Sequence, residues 1–213
     1  MEYCERLGNG FWAEPINALT NAAFVVAAVL LFCRSRRQAK AMHWDIYALM
    51  FLLACIGVGS FLWHTFATPW TELADKLPIF AFMFLYLFSC MVRALHVSWY
   101  WSLSCLAVFV FLNVAVKQWL PADLLNGSIM YLPALLALLL LLGLASFWQR
   151  LSGAKMMLGV TGLFCISVTF RSVDQFVCDS FPLGTHFLWH LLNALMLYWL
   201  MKVLSQSVQI AKN

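Results

Sequence analysis

The chain has 213 residues, 64% of them hydrophobic and 10% charged. A soluble domain carries about 25% charged residues, so the composition excludes a soluble fold and places the chain in a membrane. The net charge of +4 is spread along the chain, without the dense basic patch that a nucleic-acid binder needs.

The first apolar run follows an acidic start, MEYCE, with no basic segment ahead of it. At about 20 residues it is too long for a signal-peptide core and reads as a retained transmembrane helix. A spanning helix needs about 20 mainly apolar residues, and seven candidates follow in chain order. They run from Glu14 to Cys33, Ile46 to Phe66, Leu77 to Val92, Trp99 to Val116, Ser128 to Phe147, Met156 to Phe170 and Thr185 to Leu204. The sixth has the weakest pattern, being short and carrying Gly159 and Gly162. No polar stretch is long enough to fold alone, so residues 1–213 are expected to form one domain. The expected fold is an all-α membrane protein, a seven-transmembrane helix bundle.

Loop charges set the expected orientation. With the N-terminus outside, the inner side collects Arg34, Arg36, Arg37, Lys40, Arg93, Arg150, Lys155, Lys202 and Lys212, nine residues against four outside. The positive-inside rule then puts the N-terminus on the outer or luminal side and the C-terminus in the cytoplasm. Trp12, Trp70 and Trp99 read as interface anchors. Of the seven cysteines, only Cys4 and Cys178 fall in outer loops, where oxidation is allowed. Position alone leaves a bridge and two free thiols open.

Ionisable groups inside a bilayer are costly and mark functional sites. Five polar residues share the outer third of the expected topology: Ser60 and His64 in GVGSFLWH, Asp75 in TELADKLP, and His186 and His190 in HFLWH. Residues four apart share a helix face, so His186 and His190 point the same way, as do Ser60 and His64. Two imidazoles from one helix and one from another leave a fourth position for water, the pattern of catalytic zinc. Singly, each has a plainer reading. Paired histidines join helices, Ser60 bonds its own helix carbonyl, and Asp75 caps the third helix. Those readings must be invoked five times at one depth. Asn17, Asn21 and Asn193 are expected to hydrogen-bond between helices. Asp174 is expected to pair with Arg171 or to support a metal-bound histidine.

These motifs together resemble the alkaline ceramidase family, within the superfamily of seven-helix membrane hydrolases that includes the adiponectin-receptor-like proteins. The resemblance rests on YCE at Tyr3 to Glu5, on Ala13, Glu14, Asn17 and Asn21, on GVGSFLWHTFAT followed by ELADKLPI, and on VDQFVCDSF followed by HFLWHLLNA. It implies zinc held by His64, His186 and His190, with Ser60 and Asp75 in the active site. It implies a bridge between Cys4 and Cys178. It also implies calcium near the N-terminus, with Glu5 and Glu14 as candidate ligands and Glu2 and Asn9 as additions, although Leu7 falls where a further ligand is expected. The implied reaction is hydrolysis of a ceramide-like lipid amide to a fatty acid and a long-chain base. Another acylated lipid as substrate, or a receptor with structural zinc, is the alternative. The expected location is the endoplasmic reticulum or Golgi in a eukaryote, or the inner membrane in a bacterium.

Overall fold

The computed structural model describes residues 3–37, 42–148 and 154–210. Lys40, Arg150 and Lys212, counted in the charge asymmetry, and Glu2, named for calcium, lie outside that set. Among the described residues there are helices and no strands. The α-helices are α1 (Pro15–Thr20), α2 (Ala22–Arg36), α3 (Trp44–Phe66), α4 (Pro69–Ser89), α5 (Trp99–Trp119), α6 (Leu132–Trp148), α7 (Ala154–Val173) and α8 (His186–Ile210). Among the described residues, six stretches are long and apolar enough to cross a membrane: Pro15–Arg36, Trp44–Phe66, Pro69–Ala94, Trp99–Trp119, Lys155–Val177 and His186–Ser207. This is a multi-pass membrane protein. The fifth expected span is a shorter apolar helix, Ser128–Leu144, that opens with a 3₁₀ turn at Ser128–Tyr131.

Three boundaries differ from the sequence reading, each for a local reason. The first span breaks at Asn21, so that α1 and α2 are separate pieces. Inside the break the Asn21 side chain donates to the Asn17 carbonyl at 2.8 Å, a bond to its own segment and not to a neighbouring helix. α4 begins at Pro69, not Leu77, because hydropathy undervalues TELADK while local chemistry favours a start there. Thr68 and Thr71 form a reciprocal capping box, and Pro69 occupies the first helical position. Asp75 therefore sits in the second turn of α4 and does not cap it. The sixth span is longer than its glycines suggested, because the chain continues through α7 into a 3₁₀ turn at Asp174–Val177.

The core is a continuous apolar cluster built on α2, α3, α4, α6, α7 and α8, including Phe24, Leu49, Leu53, Phe82, Val160 and Leu204. Polar links across it are few. Asn193 of α8 donates to Ser167 Oγ of α7 at 2.8 Å, the interhelical bond expected of it. At one end of the bundle α4 runs into a π-helical turn, Cys90–Ala94. There Arg93 and Ser89 donate to the buried Asp45 carboxylate of α3 at 2.5 and 2.7 Å. Large apolar side chains elsewhere face outward. Trp99 and Trp101 mark that end, while Trp12 and Trp70 mark the opposite one, all more than half exposed. Two aromatic levels of this kind suit membrane interfaces.

Candidate metal centre

The opposite end gathers the polar residues. α3 and α4 meet there with almost no spacing. A Cβ on Gly59 would stand 2.1 Å from the Ala74 carbonyl oxygen, so only glycine lets the helices touch. That contact brings Ser60 beside Asp75, whose carboxylate accepts a hydrogen bond from the serine. One turn beyond Ser60, His64 lies on the last turn of α3, 1% exposed.

α8 is started by a residue from α7's end. The Asp174 carboxylate accepts from the backbone N–H groups of Thr185 at 2.6 Å, His186 at 2.9 Å and Cys4 at 3.2 Å. Donors at a helix start need such a partner. Gly184, at φ +64, makes room: a Cβ there would fall 2.2 Å from Asp174 Oδ1. Asp174 thus supports His186 through its backbone and does not contact its ring. Cys4 and Cys178 are bridged, with Cα atoms 5.1 Å apart, which ties the N-terminal segment over the same site.

The rings of His64, His186 and His190 converge with centroids 4.6 to 5.2 Å apart. One nitrogen from each lies within 4.8 Å of the others, so the three are grouped closely enough to hold one metal ion. Two of the rings are turned by partners on α1. Thr20 donates its hydroxyl to the Ile16 carbonyl at 2.8 Å, which leaves its oxygen placed to accept a hydrogen bond from His190 Nδ1 at 3.0 Å. Glu14 Oε2 accepts from His64 Nδ1 at 2.5 Å. Both leave Nε2 for an ion, and a carboxylate behind a histidine raises its strength as a ligand. Burial pushes the Glu14 carboxyl up, but His64, Asn17 and Arg6 more than offset this and hold it below the usual carboxylate range. Tyr3 stacks on His186 at 3.9 Å.

Two orphan atoms test the fit of a metal. His186 Nδ1 and Asp75 Oδ1 are buried without a hydrogen-bond partner. A buried polar atom left unmade costs about 1–3 kcal/mol. Three buried imidazoles, with an oxygen group alongside, suit a borderline-soft divalent ion. Glu5 and Glu14 lie on the flank. Glu5 accepts from the backbone N–H groups of Ile16 and Asn17 at 2.7 and 2.8 Å, while Glu14 also binds Arg6 and Asn17.

With that geometry in place, comparison with known proteins places the chain. The model of the ceramidase family matches residues 1–213, the whole chain. The chain belongs to the ceramidase family. The family supports ceramide-hydrolysing activity, a lipid substrate and a membrane setting. No curated protein matches the chain.

The site's support was less legible than its centre. Thr20 had no role assigned from the sequence, Tyr3 entered only as the start of the YCE motif, and Glu14 only as a motif residue and a calcium candidate. Thr20 carried one usable signal, a hydroxyl in an apolar span four residues past Ile16, but its partner is 170 residues away.

Proposed function

We propose that this ceramidase is a zinc-dependent amide hydrolase that cleaves ceramide-like lipids to a fatty acid and a long-chain base. The observation that carries this is the convergence of three buried histidines, two of which have their rings oriented by Glu14 and Thr20. His64, His186 and His190 would hold the ion. A zinc ion there supplies a Lewis acid that polarises the amide carbonyl and makes water nucleophilic at mild pH. Asp75 orients the attacking water and takes its proton at the carboxylate. Ser60 releases its hydroxyl from Asp75 to donate to the oxyanion that forms on the amide oxygen. The Asp75 proton then passes to the leaving amine, so the carboxylate returns to its starting state.

A cavity of about 110 Å³ supports a lipid substrate. It is lined by Tyr131 and Trp189 near the histidines and by Leu87, Leu141 and Leu200 deeper in the bundle. Its walls are almost wholly apolar, so the acyl chain of another N-acyl lipid would fit equally well. In this reading residues 1–213 form one domain of seven spans, with α6 as the short fifth. The metal centre and N-terminus then lie on the outer or luminal side and the C-terminus in the cytoplasm. The membrane is that of the endoplasmic reticulum or Golgi in a eukaryote, or the inner membrane in a bacterium.

The test is metal content and ceramide cleavage for purified wild type and His64→Ala. Stoichiometric zinc in the wild type, with both zinc and cleavage lost in the variant, is expected. A wild type purified without metal, or a variant that cleaves normally, overturns the reading.

A further inference from the structure

Calcium is the second ion implied for this chain, and its fit can be judged from what surrounds Glu5 and Glu14. Calcium takes six to eight oxygen ligands. Both Glu5 oxygens already accept backbone N–H bonds at the start of α1. Glu14 Oε2 is held by His64 and Asn17, and its Oε1 by Arg6. Leu7 points to solvent, 82% exposed, and offers no side-chain oxygen. Among the described residues this donor set does not fit a calcium ion.

A charge stands there already. The Arg6 guanidinium donates through Nε to Glu14 Oε1 and through Nη2 to the His64 carbonyl oxygen at 3.1 Å. It therefore grips both the carboxylate that orients the His64 ring and the main chain that carries it. Arginine stays charged at any working pH, and its planar fork suits two acceptors at fixed angles. The Arg6 side chain is 14% exposed, so water screens the contact little. Its position is set by the two residues before it: Cys4 is held by the bridge, and Glu5 by its bonds to the first N–H groups of α1.

We propose that Arg6 is the built-in cation of this site: a positioning residue that locks Glu14 and the last turn of α3 so that His64 faces the metal, leaving no requirement for calcium. The inference rests on the zinc reading above, and its test uses readouts taken without substrate. Full-length wild type in detergent, with free zinc held constant, is melted with and without millimolar calcium. The same melting temperature in both is expected; a calcium-dependent rise overturns the proposal. Zinc affinity is then measured by chelator competition for wild type and Arg6→Ala. A fall of about 10–100-fold is expected from losing such support, with partial recovery in low concentrations of guanidinium. Wild-type affinity in Arg6→Ala, or a loss that guanidinium leaves unchanged, overturns it. Should Arg6→Ala not fold, Arg6→Lys keeps the charge without the fork, and its affinity is expected between those of wild type and of wild type stripped of the Glu14 contact by Glu14→Gln. Affinity equal to wild type there overturns the fork argument. A protein that binds zinc but leaves ceramide intact defeats the hydrolase reading alone, whereas one that binds no zinc defeats both.

Discussion

His64 and His190 differ in what stands behind them, and that difference predicts how each responds to mutation. Glu14 is an ionised acceptor at 2.5 Å, whereas Thr20 is a neutral one at 3.0 Å. Charge-assisted hydrogen bonds are about twice as strong as neutral ones. Glu14→Gln is therefore expected to lower zinc affinity about 10–100-fold, and Thr20→Val by less, as read by competition with a chromophoric chelator. Equal losses would show that ring orientation matters and charge does not. The three histidines of the cluster were legible in the sequence because each stands out against apolar neighbours and because helical spacing pairs His186 with His190. Their supports were not, since Glu14 and Thr20 reach them only through the break at Asn21 and across 50 and 170 residues of chain. Spacing within a helix says nothing of such contacts.

The beginnings of helices do more to place the site than their apolar lengths. α4 starts early through the Thr68 capping box, which moves Asp75 into the second turn and against Ser60. α8 starts on Asp174, a residue whose role in the sequence was ambiguous between an ion pair and metal support. Hydropathy locates the middle of a span well and its ends poorly, because capping depends on one or two side chains. Asp174→Ala strips an acceptor from three backbone N–H groups, each costing about 1–3 kcal/mol if it stays buried and unmade. The expected result is a clear drop in melting temperature. Losing a native disulfide costs about 2–5 kcal/mol in small domains, so reductant alone should also destabilise wild type. The two effects should be less than additive, because Asp174 and the bridge restrain the same segment through Cys4. Full additivity in a thermal melt would show that they act on separate parts of the fold.

For the whole molecule, the question is how a lipid with a long tail reaches a polar site at one end of the bundle. The cavity follows α8 from Trp189, beside His190, to Leu200. Eleven residues at 1.5 Å each make it ~16 Å deep, enough for an extended acyl chain to run inward while the amide stays at the histidines. Asp45, Ser89 and Arg93, which hold the opposite end of the bundle together, do not line the cavity, so an acyl chain entering at the histidines is expected to stop short of them. Depth then sets the preferred acyl length. Ala137 lies partway along the α6 wall, between Ala134 and Leu141. Ala137→Phe would fill space there with a rigid ring, at an overpacking cost of about 1–3 kcal/mol. Cleavage of long-chain ceramides is expected to fall steeply while short-chain ceramides are cut as by wild type. The measurement is kcat/KM across a series of acyl lengths at constant zinc. Because Ala137 is not one of the clustered residues His64, His186 and His190, zinc affinity should not change, which separates loss of tail space from damage to the histidine cluster. A uniform fall across all lengths would place the acyl chain elsewhere, and the cavity would then be only a packing defect.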